Sequence, residues 1–83
     1  MKESEIKKTI GVRLRTIRRA RRLRQNKVAK LMRMSQGNLN DMEAGRNGVS
    51  LYRLAQFAAV CGIEPWMILH DDWCNLTGCE DRE

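Results

Sequence analysis

The sequence is poor in the residues on which enzymes and metalloproteins depend. Its 83 residues include one histidine, three cysteines and one proline. No nucleophile stands at a recognisable spacing from a base, and no glycine-rich phosphate loop occurs. His70, Cys74 and Cys79 offer three ligands, whereas a structural zinc site needs four. We therefore expect a protein that is not an enzyme and that binds neither a metal nor a cofactor.

Long apolar runs and a disulfide framework are also missing. The longest apolar run, residues 57–61, is much too short for the core of a signal peptide or for a bilayer span. The first eight residues, MKESEIKK, are charged. An odd number of cysteines, without the spacing of a small secreted domain, indicates reduced thiols in a reducing compartment. These features predict a cytoplasmic, nucleoid-associated protein.

The charged residues are distributed very unevenly along the chain. Thirteen of the 16 Lys and Arg residues fall in the first 33 positions. The net charge is +11 for residues 1–34 (13 − 2), −1 for residues 35–69 (2 − 3) and −4 for residues 70–83 (1 − 5). Such a dipole recruits a polyanion to one side of the molecule. Nucleic acid is the first candidate and an acidic membrane surface the second.

Apolar spacing predicts an all-α fold of five short helices in one domain. The first helix runs over about residues 5–22, where apolar residues recur at intervals of four, four and three: Ile6, Ile10, Leu14 and Ile17. The second helix begins at about Gln25. No alternation of Val, Ile and Thr indicates a strand.

Capping residues predict the three remaining helices. Ser35 is a good N-cap for the third helix, which starts at Gln36 and stops at Gly45. Ser50 caps the fourth helix. The positions predicted to face inward on the fourth helix are Leu51, Leu54, Ala55, Ala58, Val60 and Cys61. Pro65 sits in the first turn of the fifth helix, where its missing N–H costs nothing.

Only residues 33–35 separate the second and third helices, which is typical of a helix-turn-helix. The segments IGVRLRTIR, LRQNKVAKLMRMSQ, LNDMEAG and SLYRLAQFAAVCGI resemble successive blocks of the lambda-repressor-like (Cro/C1-type, XRE) helix-turn-helix family. The match covers residues 10–69 without a gap. The residues that carry it in register are Gln25, Ala29, Ser35, Glu43, Gly45 and Gly62. The resemblance implies a five-helix DNA-binding domain over residues 1–69, followed by an acidic tail over residues 70–83.

The third helix has the character of a reading helix. At 100° per residue, Leu39 and Met42 point inward, and the opposite face is formed by Gln36, Gly37, Asn40, Asp41 and Ala44. The resemblance places base contacts at Gln36, Gly37, Asp41 and the loop residue Asn47, and geometry adds Asn40. A glutamine can bond both N6 and N7 of adenine. The predicted phosphate contacts are Gln25, Asn26, Lys27, Asn38 and Arg46.

The resemblance also implies structural roles. Arg18 and Glu43 occupy positions that form a partly buried ion pair in family members, although a phosphate contact by Arg18 is the alternative. Gln25 is expected to contact either a phosphate or Gln36. Arg33 stands where many members have a turn glycine, and a left-handed backbone there would cost roughly 1 to 2 kcal/mol. The other basic residues of the first helix form either a solvated face or phosphate contacts.

These features predict a sequence-specific regulator of transcription, most simply a repressor of the phage, plasmid or prophage type. Family members commonly pair on a palindromic operator, so the resemblance favours a homodimer. Large apolar residues near the end of the chain either close the core or form a self-association surface: Trp66, Met67, Leu69, Trp73 and Leu76. An antitoxin is the alternative, because the acidic, aromatic tail could engage a basic toxin. An RNA-binding protein is third, and no membrane partner is expected.

Overall fold

The structure is a computed structural model that describes residues 1–79, and these residues form six α-helices and no strand. The helices are α1 (Glu3–Ala20), α2 (Gln25–Leu31), α3 (Gln36–Glu43), α4 (Leu51–Cys61), α5 (Pro65–Leu69) and α6 (Trp73–Leu76). The predicted all-α class is confirmed, but the predicted number of five helices is wrong. The short α6 has no clear apolar repeat of its own and forms where Trp73 packs against the core. Residues 80–83 of the predicted acidic tail lie outside the described residues.

The core is formed by buried residues from helices α1 to α5, together with Met32 in the turn after α2 and Cys79. Leu14 and Ile17 of α1 are fully buried, Ile10 packs at the edge of the core, and Ile6 stays exposed. The predicted stripe on α1 is therefore correct except at Ile6, its first residue. None of the helices in the described part of the chain combines the length and the apolar character that a bilayer span requires.

Capping side chains begin α3 and α4 as predicted. The Ser35 hydroxyl accepts a hydrogen bond from the Asn38 N–H, and the Ser50 hydroxyl accepts one from the Arg53 N–H. Gly45 follows α3 with φ +79°, and Gly62 follows α4 with φ +74°. Both glycines adopt the left-handed conformation that ends a helix at little cost.

The inward face of α4 differs from the prediction. Its buried residues are Leu54, Phe57, Ala58 and Cys61, which follow the 3.6-residue period. Leu51 is 80% exposed, because it stands in the first turn, and Ala55 is also exposed. Phe57 is the large buried side chain that the predicted face omitted.

The described part of the predicted acidic tail is packed against the domain. Thr77 and Cys79 are each about 1% exposed. Arg13 Nη1 donates to the Ile68 carbonyl at 2.8 Å, and the Arg13 guanidinium lies 5.5 Å from the centre of the Trp73 ring. One arginine of α1 thus holds both α5 and α6 in place.

Candidate nucleic-acid interface

The joint between α2 and α3 has the geometry of a helix-turn-helix. The Met34 N–H donates to the Ala29 carbonyl at 3.0 Å and closes the end of α2. Arg33 has φ +56°, so its backbone is left-handed at the position where many family members have glycine. A non-glycine residue in this conformation costs roughly 1 to 2 kcal/mol. Arg33 is exposed, so the turn carries a positive charge at a position where its backbone conformation is strained.

The outward face of α3 holds the predicted base-reading residues. Leu39 and Met42 are buried behind it, as expected. Gln36 and Gly37 are exposed, Asn40 and Asp41 are partly exposed, and Asn47 is exposed in the loop that follows. The structure therefore brings the α3 members of this set onto one face, with Asn47 beyond its C-terminal end.

A buried ion pair joins α1 to α3. Arg18 Nε donates to Glu43 Oε2 at 2.7 Å, and Arg18 Nη2 donates to Glu43 Oε1 at 3.0 Å. The two side chains are 9% and 0% exposed. Arg18 Nη1 also donates to the Leu23 carbonyl at 2.8 Å, and Arg15 approaches Glu43 at 3.5 Å. Because all three guanidinium nitrogens of Arg18 donate within the protein and the residue is buried, Arg18 holds the inner side of α3 and is not placed to contact a phosphate.

Gln25 connects this ion pair to the outward face of α3. Its Nε2 donates to Glu43 Oε1 at 3.0 Å and to Asn40 Oδ1 at 3.2 Å. Gln36 Nε2 donates to Gln25 Oε1 at 3.4 Å. Gln36 and a phosphate were the two partners expected for Gln25, and the structure shows Gln36 bonded to the Gln25 side chain. Both hydrogens of Gln25 Nε2 are used within the protein, so only the backbone N–H of Gln25 could donate to a phosphate. The bond to Asn40 was missed, because nothing in the sequence joins positions 15 residues apart.

Asp41 is paired with Arg46 at the C-terminal end of the outward face. Arg46 Nη1 donates to Asp41 Oδ1 at 3.1 Å, and the Arg46 N–H donates to the Asp41 carbonyl at 2.9 Å. Both side chains are substantially exposed, so the pair is held weakly. The negative charge of Asp41 is partly offset, and Arg46 is engaged within the protein.

Arg21, at the end of α1, and Arg53 of α4 have structural roles. Arg21 Nε donates to the Cys61 carbonyl at 3.1 Å, and Arg53 Nη1 donates to the Met32 carbonyl at 2.8 Å. Sequence reasoning missed these contacts because their acceptors are backbone carbonyls at distant positions. A second set of basic residues is exposed, and their side chains form no hydrogen bond or ion pair with any residue in the range 1–79: Lys8, Arg19, Arg22, Arg24, Lys27, Lys30 and Arg33.

The predicted phosphate contacts around α2 and α3 are largely accessible. Asn26 and Lys27 are exposed in the first turn of α2, and Asn38 is exposed on α3. Across residues 1–79, no three His, Cys, Asp or Glu side chains are grouped in a way that could hold a metal ion. The exposed side chains of Asn26, Lys27 and Asn38 are two amides and an ammonium group, which suit base edges and phosphates.

Comparison with known proteins identifies the family. A family model described as a helix-turn-helix domain matches residues 9–67. A crystal structure of the clp gene regulator ClgR from Corynebacterium glutamicum has a TM-score of 0.74 and 28% identity, covering 76% of this chain and 67% of that chain. A second ClgR crystal structure has a TM-score of 0.73 and 28% identity, covering 76% and 82%. None of the curated proteins matches the sequence.

The family and these neighbours point to a protein that is not an enzyme. They agree with the predicted resemblance in both sequence and fold, and the match spans most of the described residues. The chain therefore belongs to the helix-turn-helix domain family, of the XRE/Cro-like type, and is a DNA-binding regulator of transcription.

Proposed function

We propose that this protein is a sequence-specific repressor that binds a palindromic operator as a homodimer and places α3 in the major groove. The observation that carries this proposal is the outward face of α3, on which exposed amides are supported from behind by a buried ion pair. Gln36 stands at the leading edge of this face, where its amide can bond N6 and N7 of adenine. Two such helices read two half-sites about 34 Å apart when the protein is a dimer.

The proposed phosphate contacts surround this face. Asn26 and Lys27 on α2 and Asn38 on α3 are exposed and can reach the DNA backbone. Arg46 joins them once it leaves Asp41, because their surface ion pair is weak. Each phosphate neutralised should lower log K by roughly 0.9 per unit of log salt. A target of this kind places the protein in the cytoplasm, associated with the nucleoid.

The homodimer is proposed to form through α5 and α6. The large apolar residues of this region divide into two groups, because Ile68 and Trp73 pack on the core whereas Trp66 and Leu69 are more than half exposed. Trp66→Ala should therefore weaken self-association, measured by sedimentation equilibrium. Tyr52→Ala, at an exposed aromatic residue on α4, is the matched control.

The antitoxin alternative loses part of its support. It relied on a free segment that is both acidic and aromatic, yet Trp73 lies under the Arg13 guanidinium and against the core. Asp71 and Asp72 remain exposed. The aromatic group that would anchor a toxin is thus engaged within the domain, which favours the repressor.

Selection of bound sequences from random duplexes tests the proposed function. The protein should enrich one palindromic motif and bind it more tightly than scrambled DNA at the same salt concentration. Gln36→Ala should then lose roughly 1 to 3 kcal/mol of affinity for that motif and almost none for scrambled DNA. If no motif is enriched, the proposal is wrong. If Gln36→Ala weakens both duplexes equally and Asp41→Asn strengthens both equally, α3 does not read bases and the proposal is also wrong.

A further inference from the structure

Behind the outward face of α3, a chain of hydrogen bonds fixes which group donates and which accepts at each step. The chain begins at Glu43, which accepts. This carboxylate is fully buried, and each of its two oxygens accepts a hydrogen bond from Arg18, so both oxygens act as acceptors. Any amide that touches Glu43 must present its nitrogen. The neighbouring carboxamide could in principle turn either its oxygen or its nitrogen towards Glu43. Because Glu43 accepts, the nitrogen must face it.

Gln25 links Glu43 to Asn40 on the outward face and determines which end of the Asn40 carboxamide faces inward. Its Nε2 carries two hydrogens, and both are used, one by Glu43 Oε1 and the other by Asn40 Oδ1. Because the nitrogen of Gln25 faces Asn40, the carboxamide of Asn40 must turn its oxygen inward. The side chain of Asn40 therefore has its acceptor occupied inside the protein.

The nitrogen of Asn40 is left for a ligand. Its Nδ2 has no hydrogen-bond partner among residues 1–79, and this part of the chain contains no buried side-chain nitrogen or oxygen without a partner. The Nδ2 group is thus at the surface, on the helix face opposite Leu39 and Met42. It offers two donors and no acceptor.

We propose that Asn40 reads a guanine, and that Gln25 is the positioning residue that sets this preference. This inference rests on the proposed function, in which α3 enters the major groove. Guanine presents two acceptors there, N7 and O6, which match two donors, whereas cytosine presents an amino donor and adenine presents one donor and one acceptor. A freely rotating asparagine prefers adenine, so the fixed carboxamide changes the expected readout.

Gln36 has the opposite orientation on the same face. It donates from Nε2 to Gln25 Oε1, which leaves its own Oε1 and one N–H for a ligand. That combination matches the N6 amino group and the N7 of adenine. One buried carboxylate thus orients two neighbouring amides for two different bases.

Selection from random duplexes with matched variants tests the inference. Asn40→Ala identifies the base pair that depends on position 40, where the wild-type protein should prefer guanine by about 5- to 150-fold over cytosine. Asn40→Asp keeps the shape and the bond from Gln25 but turns an acceptor outward, so the preference at that base pair should switch to cytosine. Asn38→Asp adds the same charge at an exposed, proposed phosphate contact of α3 outside the network, so it should weaken binding to all duplexes but keep the preference for guanine.

A second variant tests the role of Gln25. Gln25→Ala releases the Asn40 carboxamide, so the preference at that base pair should shift from guanine towards adenine. Thermal unfolding confirms that this variant is folded. A Gln25→Ala protein that is folded and still prefers guanine by the wild-type factor would show that Gln25 does not set the preference.

The outcomes separate this inference from the proposed function. If the wild-type protein enriches a motif, but no base pair responds to Asn40→Ala or the one that responds carries cytosine or adenine, then only the inference is overturned. If the wild-type protein enriches no motif at all, the proposed function fails and the inference fails with it. A switch from guanine to cytosine in Asn40→Asp, absent in Asn38→Asp, supports both.

Discussion

Gly11 of α1 lies directly against the backbone of Glu43 at the end of α3. A Cβ atom at position 11 would stand 2.6 Å from the carbonyl oxygens of both Met42 and Glu43, closer than real Cβ atoms approach such groups. The absence of a side chain at Gly11 therefore lets α1 cross close behind α3. The same crossing brings Arg18 to Glu43.

Gly11→Ala should destabilise the free protein, although alanine is the better helix former. The alanine methyl would push α1 away from backbone atoms that cannot rotate aside, and overpacking of this kind typically costs about 1 to 3 kcal/mol. Gly37→Ala is the matched control, because nothing lies within 4 Å of a Cβ atom at position 37. That variant should gain up to about 1 kcal/mol from helix propensity. Urea unfolding should show shifts of opposite sign, and shifts of the same sign would contradict the close crossing.

Glu43→Ala should be among the most damaging single changes in the chain. It removes the carboxylate that accepts from Arg18 and Gln25 and leaves a buried guanidinium without its partner. Breaking a buried pair in this way costs roughly 3 to 5 kcal/mol. Glu3→Ala breaks the exposed pair with Lys7 and should leave the thermal midpoint within error. A Glu43→Ala protein with an unchanged midpoint would exclude a stabilising role for the buried pair.

Arg13→Ala should release the C-terminal segment more than the rest of the fold. The variant loses the bond from Nη1 to the Ile68 carbonyl and the contact with the Trp73 ring, together worth roughly 1 to 3 kcal/mol. Hydrogen exchange should increase first in residues 72–79. Arg19→Ala removes an exposed guanidinium that has no partner among the described residues, and it should leave exchange unchanged. Equal exchange in the two variants would mean that Arg13 does not hold this segment.

Burial raises the pKa of the Cys61 thiol from 9.0 to about 11, and the nearby Arg21 opposes the increase. The unfolded chain therefore releases this proton first. The contribution to stability is fully present below pH 9 and is lost as the pH rises through about 11. Thermal midpoints of the wild-type protein and of Cys61→Ala, measured from pH 8 to pH 11, should converge as the pH rises. A constant difference between the two proteins would show that the thiol titrates normally in the fold.

Local signals made much of the fold predictable. Ser35, Ser50 and Gly45 mark helix ends through their own side chains or their freedom of backbone conformation, so these ends are readable from sequence. The errors on α4 arose because Leu51 and Ala55 lie close to the buried stripe in helical angle, and only packing decides which residues are covered. The same reason explains α6, whose formation depends on a contact between Trp73 and distant residues.

The candidate site was also predictable only in part, and the unpredicted part depends on packing. The outward face of α3 follows from helical geometry, and the resemblance supplied the pairing of Arg18 with Glu43. The bond from Gln25 to Asn40 was not predictable, because it depends on how α2 crosses α3. The roles of Arg13 and Arg53 were also hidden, since their acceptors are backbone carbonyls that any residue could provide.

The last prediction concerns Asp41, the only acidic residue on the outward face of α3 within the described chain. Asp41→Asn removes a charge that repels phosphates and frees Arg46, so affinity for scrambled DNA should rise and the salt slope should steepen by roughly 0.9. Affinity for the selected operator should rise less, because the Asp41 carboxylate can accept from a cytosine amino group there. Asp71→Asn makes the same charge change at an exposed position outside α3 and should alter neither affinity by as much. Fluorescence anisotropy with both duplexes at one salt concentration measures the ratio of specific to nonspecific affinity. A ratio that stays constant while both affinities increase would mean that Asp41 acts only through its charge and contacts no base.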